Sequence, residues 1–217
     1  MLRGIVFDMD GVIVDSHAAH RSAWKSFLES EGREARDEEL DFILDGRKRE
    51  EILRHFFGEV TPKQIVEYGH RKDELLRECG KRIQTILGVV EFLVHLSEAG
   101  IRIALATSGS QRRAYATLEE HGLARYFHTV VTGDEVTAGK PDPAIYRLAA
   151  ERMQESPQHL LAVEDAASGV KSARAAGLRC LGVANERRAA LLRAAGAELV
   201  IPDFLFLSFD DLENCFR

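Results

Sequence analysis

Residues 4–16 read GIVFDMDGVIVDS, and this stretch decides the fold. It begins as an uninterrupted apolar run, which is typical of a strand buried on both faces of a parallel sheet. The run ends at two carboxylates, Asp8 and Asp10, that are separated by one residue. Side chains two residues apart in an extended chain point the same way, so both carboxylates can reach one small volume. Since doubly wound folds bind ligands at the carboxyl edge of the sheet, we expect a polar site there.

Five further apolar runs of strand length follow, and segments of helix length separate them. The runs are Ile101–Ala106, Thr129–Thr132, Leu160–Val163, Leu178–Val183 and Leu199–Ile201. The separators carry apolar residues at three- and four-residue spacing, and four of them precede a glycine where a helix would end. These separators are Glu91–Ala99, Gln111–His121, Pro143–Met153, Ser168–Ala176 and Arg187–Ala195. The alternation predicts an α/β fold with a doubly wound parallel sheet.

The stretch from Ser16 to Ile86 breaks this alternation, because it contains only amphipathic helical segments. They are Ala19–Glu31, Asp37–Leu44, Arg49–Phe57 and Pro62–Arg82. A normal crossover takes one helix, so four indicate a small all-helical domain inserted after the first strand. We predict a core domain of residues 1–15 and 87–217 and a helical cap domain of residues 16–86, with hinges near residues 15–17 and 85–88.

Composition excludes several classes of protein. The chain has 217 residues, 45% of them hydrophobic, and its 29 Lys and Arg against 35 Asp and Glu give a net charge of −6. This charge provides no basic field for a nucleic-acid backbone. Three scattered cysteines indicate neither a disulfide framework nor a zinc site, and no apolar run reaches the length of a membrane span. We expect a cytoplasmic monomer that acts on a small molecule, with no nucleic-acid or membrane partner.

Three later strand ends carry further polar groups. TSGS at 107–110 supplies the hydroxyls of Thr107 and Ser108, GKPDP at 139–143 supplies Lys140, and ED at 164–165 supplies two acids. Taken singly, each has an ordinary interpretation: helix caps for the hydroxyls and the acids, a solvated lysine, and a turn for the first aspartates. Together they bring carboxylates, a hydroxyl and a lysine to one edge of the sheet. Acids of this kind hold Mg²⁺, and the lysine and hydroxyl neutralise phosphoryl oxygens, so the constellation suits phosphoryl transfer.

In order and spacing, these four motifs resemble those of the haloacid dehalogenase superfamily, in the branch with a helical cap after the first strand. The resemblance implies that Asp8 is the nucleophile and that Asp10 is the general acid and base. It implies that Mg²⁺ is held by Asp8, the backbone carbonyl of Asp10 and Asp165, with Glu164 in support. The dehalogenases that name the superfamily lack the second aspartate, so Asp10 argues against dehalogenation.

The predicted cap also resembles that of β-phosphoglucomutases, through DSHAAH at 15–20, AWK at 23–25, GRKRE at 46–50 and RK at 71–72. By this looser resemblance, His20 and Lys72 link the cap to the acid/base aspartate, and Arg49 binds a distal phosphate of the substrate. Local acids could equally balance Arg49, and the alternative for His20 is a hydrogen bond within the cap. For Trp24 we expect a core contact.

Asp10 leaves two reactions open, because it can deprotonate whichever nucleophile next attacks phosphorylated Asp8. Water gives a phosphatase, and a sugar hydroxyl gives a phosphomutase. We expect a phosphatase of small phosphorylated metabolites, since hydrolysis needs only water. A sugar phosphomutase is the alternative, and a binding or regulatory protein that keeps the fold without turnover is the third possibility.

Overall fold

A six-stranded parallel sheet forms the centre of the computed structural model, which describes residues 2–79 and 83–216. The strands are β1 (Gly4–Phe7), β2 (Arg102–Thr107), β3 (Thr129–Thr132), β4 (Leu160–Glu164), β5 (Arg179–Val183) and β6 (Leu199–Ile201). Their order is β3-β2-β1-β4-β5-β6, and every pair is parallel. The direction of winding therefore reverses between β1 and β4, which opens a crevice at their carboxyl ends.

Helices connect these strands as the sequence predicts. In chain order they are α1 (His17–Ser30), α2 (Asp37–Ile43), α3 (Arg49–Phe57), α4 (Pro62–Cys79), α5 (Val89–Glu98), α6 (Gln111–Glu120), α7 (Ala144–Met153), α8 (Ala167–Ala175), α9 (Glu186–Ala195) and α10 (Phe209–Asn214). The doubly wound α/β architecture is thus confirmed, with element ends that differ by a residue or two from those predicted for α5–α9. The last three residues of the helix predicted to end at Arg82 lie outside the described residues.

The sheet is covered on both faces, which explains its continuous apolar strands. All four residues of β1 are buried. Ile5 and Phe7 face one apolar cluster, whereas Val6 faces another that includes Tyr146. The Phe7 ring packs edge-on against Phe92, with ring centroids 6.2 Å apart. A strand buried on both faces is held rigidly, so the residues that follow it have defined positions.

The segment α1–α4, which we call the helical insertion, has its own apolar cluster. Trp24, Phe27 and Leu53 are buried there, so the core role predicted for Trp24 is confirmed. An antiparallel bridge between Val14 and Thr85 joins the two chain segments at its base. The division into two domains at the predicted boundaries remains a prediction.

The helical insertion lies over the carboxyl edge of the sheet. The Lys48 ammonium donates to the carbonyl of Val136 at 2.6 Å, and the Gly139 amide donates to Glu51 at 3.2 Å. These contacts close the space above β1 and β4 into a cavity. Within residues 2–79 and 83–216, no helix combines the length and apolar character needed to cross a bilayer.

Candidate active site

A cavity of about 430 Å³ lies between the carboxyl edge of the sheet and the helical insertion. This volume suits a small ligand that carries several polar groups. The predicted site residues that line it are Asp8, Asp10, His20, Arg49, Lys72, Thr107, Ser108, Glu164 and Asp165. Three of the four motifs singled out in the sequence therefore line one cavity, and the fourth supplies Lys140, which contacts Asp8 from behind the lining.

Lys140 lies beneath the carboxylates and is 1% exposed. Its ammonium is 2.5 Å from Asp8 Oδ1, 2.5 Å from Glu164 Oε1 and 3.3 Å from the carbonyl of Ala106. Burial alone would lower the pKa of this lysine, but the carboxylates of Asp8 and Glu164 raise it above its usual value. Lys140 is thus a fixed positive charge directly under Asp8.

Glu164 is held by protein donors on both of its oxygens. Oε1 accepts hydrogen bonds from Lys140 and, at 2.6 Å, from the Tyr146 hydroxyl. Oε2 accepts from the backbone amides of Asp165 at 3.2 Å and Ala166 at 3.4 Å. This pattern suits the supporting role expected for Glu164, since its carboxylate orients Lys140 and the loop after β4.

Asp8 ends β1 with its carboxyl group at the cavity wall and is 7% exposed. Burial raises the pKa of Asp8, and Lys140 opposes that effect. The neighbouring carboxylates of Glu164, Asp10 and Asp165 add to the effect of burial, so the pKa reaches about 8. The pocket around Asp8 therefore carries more negative charge than Lys140 balances.

The acids around Asp8 are suited to a divalent cation. One carboxylate oxygen from each of Asp8, Glu164 and Asp165 lies within 4.8 Å of the others. Asp165 Oδ2 is buried and accepts no well-aligned hydrogen bond from any residue the structure describes, although His17 Nε2 is 3.0 Å away. Lys140 pairs with Asp8 and Glu164, and Arg188 Nη1 lies 3.5 Å from Asp165 Oδ2, so the three acids gather at one point with cations on their outer sides. Carboxylate oxygens are the donors that Mg²⁺ prefers.

Asp10 pairs with side chains of the loop before α1, of α1 and of α6. Its Oδ1 accepts a hydrogen bond from the Ser16 hydroxyl at 2.5 Å and another from Arg113 Nη1 at 3.0 Å, and its Oδ2 accepts one from Arg113 Nη2. His20 Nε2 lies 3.4 Å from Oδ1. Burial would raise the pKa of Asp10, but Arg113 and His20 outweigh it and hold the pKa well below its usual value.

His20 and Lys72 form the side of the cavity next to Asp10. The Lys72 ammonium is 3.0 Å from His20 Nδ1 and 5.4 Å from the centre of the Trp24 ring. Burial, with Arg113 nearby, lowers the pKa of Lys72 to about 7, and burial with Lys72 nearby lowers that of His20 to about 4. The structure thus places both residues beside the acid/base candidate.

Arg49 lines the cavity from α3. Its Nη2 donates to the two carboxylate oxygens of Asp73 at 2.8 and 2.7 Å. Burial would raise the pKa of Asp73, but Arg49 and Lys72 lower it. The predicted interaction of Arg49 with a distal phosphate remains a prediction, and it would compete with Asp73.

The two hydroxyls after β2 have different surroundings. Thr107 is 1% exposed, and its Oγ1 accepts a hydrogen bond from the Gly109 amide at 3.1 Å. Ser108 donates its hydroxyl to the carbonyl of Gly46 at 2.6 Å and so connects the sheet edge to the helical insertion. Both line the cavity, as expected of groups that contact a phosphate.

Sequence reasoning missed several residues of this site: His17, Asp73, Arg113, Tyr146 and Arg188. Arg188 donates to the carbonyl of Asp165 at 3.0 Å. A signal for Arg113 was present, because it occupies the first turn of α6, where the helix dipole disfavours cations. An arginine at that position indicates a nearby acid, which is Asp10.

Comparisons with known proteins agree with this geometry. Residues 5–183 match the sequence profile of the haloacid dehalogenase-like hydrolases. The chain is 34% identical to "Phosphorylated carbohydrates phosphatase" of Thermotoga maritima, over 93% of this chain and 95% of the relative. It is 30% identical to the β-phosphoglucomutase of Bacillus subtilis, over 92% and 89%. The crystal structure of CbbY from Rhodobacter sphaeroides in complex with phosphate has a TM-score of 0.81 and 27% identity, covering 98% of this chain and 100% of that chain.

Proposed function

The chain belongs to the haloacid dehalogenase-like hydrolase family, and from that membership we propose a Mg²⁺-dependent phosphatase that acts on a small phosphorylated metabolite through an aspartyl phosphate on Asp8. The observation that carries the proposal is the different setting of two aspartates on one loop. Both line the cavity, but Asp8 lies over a buried lysine, whereas Asp10 is paired with Arg113 of α6 and lies beside His20 of the helical insertion. Asp8 would act as the nucleophile in its ionised form and Asp10 as the acid in its protonated form, the reverse of the protonation that their pKa values favour in the metal-free protein.

The metal site would use Asp8, Asp165 and the backbone carbonyl of Asp10, with Glu164 in support. Bound there, Mg²⁺ supplies positive charge that stabilises the oxygens of the phosphoryl group in transfer. The chain's own contribution at this point is Lys140, whose fixed charge lies 2.5 Å from Asp8 Oδ1.

Asp8 attacks the phosphorus atom, and the bond from phosphorus to the leaving oxygen breaks as the aspartyl phosphate forms. Lys140 and the Thr107 hydroxyl offset negative charge on the phosphoryl oxygens. Asp10 must first take up a proton, because Arg113 and His20 keep it ionised; it then gives that proton to the leaving alkoxide and takes one from the water molecule that attacks the phosphoenzyme. Hydrolysis returns Asp8 to its free state and releases inorganic phosphate.

The substrate class follows from the cavity and from the relatives. Cations of the helical insertion, Arg49 and Lys72, line the cavity on the side away from the sheet, which suits a substrate with polar or anionic groups beyond the phosphate. The Thermotoga maritima relative is named for phosphorylated carbohydrates, which supports a sugar-phosphate-like substrate. The predicted cap domain would then enclose the sugar.

A sugar phosphomutase is the second candidate. Arg49, together with His20 and Lys72 beside Asp10, is the arrangement that the resemblance to β-phosphoglucomutases predicts, and a relative of that name is 30% identical. A mutase would pass the phosphoryl group from Asp8 to a sugar hydroxyl rather than to water. The reaction product therefore distinguishes the two candidates.

The test is phosphate release from a panel of esters: glucose 6-phosphate, fructose 1-phosphate, glycerol 3-phosphate, β-glucose 1-phosphate and p-nitrophenyl phosphate. We expect turnover with Mg²⁺, none with EDTA, and none in Asp8→Asn, with Asp210→Asn on the surface of α10 as the matched control. Normal turnover by Asp8→Asn would remove Asp8 as the nucleophile. Isomerisation of β-glucose 1-phosphate, primed with a trace of glucose 1,6-bisphosphate, that is much faster than phosphate release would favour the mutase.

A further inference from the structure

Arg113 contacts the acid/base candidate and the helical insertion at the same time. Its Nη1 lies 3.0 Å from Asp10 Oδ1 and 3.2 Å from His20 Nε2, and its Nη2 donates to Asp10 Oδ2. Only 13% of the side chain is exposed. A two-pronged arginine–carboxylate contact fixes the orientation of the carboxylate as well as its position.

We propose that Arg113 is a positioning residue, which holds the Asp10 carboxylate between α6 and His20 of the helical insertion and so sets where Asp10 meets the substrate's leaving oxygen. This inference rests on the proposed function, because it assigns a role within the same reaction. It adds a residue that none of the four strand-end motifs contains.

The location of Arg113 argues for a role beyond a structural ion pair. Other arginines of the α/β core that pair with acids lie at the surface, such as Arg152 with Glu135, where the arginine side chain is 41% exposed. Arg113 is instead buried at the cavity wall, in the first turn of a helix. Both the burial and the helix dipole are unfavourable for a cation there, and Asp10 compensates for them.

Gly109 leaves the space that Arg113 fills. A Cβ atom on Gly109 would lie 2.6 Å from Arg113 Nη2 and 3.0 Å from its Nε. A side chain on residue 109 would therefore push the Arg113 guanidinium out of the position that it has here. Gly109→Ala displaces Arg113 without removing its charge, so it provides an independent way to disturb the contact.

His20 is held from its other side as well. Lys72, on α4, is 3.0 Å from His20 Nδ1, and His20 itself is on α1. With Lys72 donating to Nδ1, the neutral imidazole carries its hydrogen on Nε2, which lies 3.4 Å from Asp10 Oδ1, so Asp10 is the group that joins Arg113 of α6 to two helices of the insertion. The position of Asp10 depends on the position of the helical insertion through this chain of contacts.

The kinetic test compares Arg113→Met and Arg113→Lys, with Arg152→Met as the matched control. It uses p-nitrophenyl phosphate and whichever sugar phosphate of the panel wild type hydrolyses fastest. The value of kcat/KM reports the steps up to loss of the leaving group, and p-nitrophenolate departs without a proton. We expect Arg113→Met to lower kcat/KM at least about tenfold on the sugar phosphate and by less than about threefold on the aryl phosphate, because the lost orientation of Asp10 outweighs the rise in its pKa without Arg113. Arg113→Lys should recover part of the loss.

The double variant Asp10→Asn, Arg113→Met decides whether the arginine acts through the aspartate. We expect it to be no slower than Asp10→Asn alone, because a positioning residue has nothing left to position. Gly109→Ala should reproduce the selective loss and add nothing to Arg113→Met. Equal losses on both esters, or full additivity with Asp10→Asn, would overturn the proposal.

Trp24 gives a measurement that needs no activity, because it is the only tryptophan, is 3% exposed and lies on α1 with His20. We expect acrylamide to quench Trp24 at least about twofold more strongly in Arg113→Met than in wild type or Arg152→Met, since α1 loses a contact with the core. If wild type hydrolyses no ester of the panel, the proposed function fails, but the quenching of Trp24 still tests whether Arg113 holds α1 through Asp10 and His20. Unchanged quenching would then refute the connection to His20.

Discussion

Asp8→Asn should make the metal-free protein less sensitive to alkaline pH while it abolishes turnover. Asp8 is buried beside Glu164 and Asp165, and these surroundings raise its pKa to about 8 despite the contact with Lys140. A raised pKa in the folded state favours the protonated form. The resulting stability is complete below pH 3.8, the ordinary value for aspartate, and is lost as the pH rises through about 8.

The size of the effect follows from the two pKa values. Between about pH 5 and about pH 8, the unfolded chain has lost the Asp8 proton that the folded metal-free protein keeps, so the free energy of unfolding falls by about 4 kcal/mol, at about 1.4 kcal/mol for each pH unit. Asparagine does not titrate, so the variant lacks this component. The variant also changes the contact of residue 8 with Lys140, and the effect of that change on stability varies little over that range.

Urea unfolding in EDTA, followed by the fluorescence of Trp24, measures this difference at several pH values. Wild type should lose about 4 kcal/mol more than Asp8→Asn between about pH 5 and about pH 8. Mg²⁺ added at the higher pH should restore stability to wild type and do so less in the variant, because binding to the folded state stabilises it. If the free energy of unfolding changed with pH in the same way in both proteins, the raised pKa of Asp8 would be refuted.

Three further substitutions test the surroundings of the site. Lys140→Met should abolish turnover and destabilise the metal-free protein by about 3 kcal/mol, because it leaves Asp8 and Glu164 buried without their cation, as urea unfolding would reveal. Gly169→Ala should cost about 1 to 3 kcal/mol by the same measurement, since the new Cβ would lie 2.1 Å from Glu164 Cδ; unchanged stability would mean that Glu164 is free to move. Arg49→Ala should raise KM about tenfold for substrates with a second anionic group and leave KM for p-nitrophenyl phosphate unchanged, whereas equal effects on both would show that Arg49 does not contact the far end of the substrate.

Most of the fold could be predicted from the sequence because its signals are local. The buried strands are continuous apolar runs, and the glycines at 100 and 177 that were expected to end helices have φ angles of 71° and 91°. Helix α10 was not predicted, because six residues carry too little periodicity. Its capping box, in which Ser208 and Asp211 exchange hydrogen bonds with each other's backbone amides, was the available signal.

The meeting of Asp8, Thr107, Lys140 and Asp165 was also predictable, because parallel strands place their carboxyl ends on one edge. The motifs do not show which partner neutralises or hydrogen-bonds each of these side chains. The sequence is equally compatible with a solvent-exposed Lys140. Its burial under Asp8 and Glu164 results from tertiary packing. The same holds for Tyr146, whose hydrogen bond to Glu164 joins residues on different elements.

The sequence by itself determined the doubly wound sheet, the helical insertion and the edge at which the polar groups gather. Hydrophobic periodicity and the residues that end strands are local features of the sequence. Only the tertiary structure decided that Asp10 pairs with Arg113, whereas the resemblance to β-phosphoglucomutases already implied that His20 lies beside it. Those partners are 103 and 10 residues away in the chain and come from different helices. Their contact depends on how the helical insertion lies on the sheet, and no local pattern specifies that arrangement.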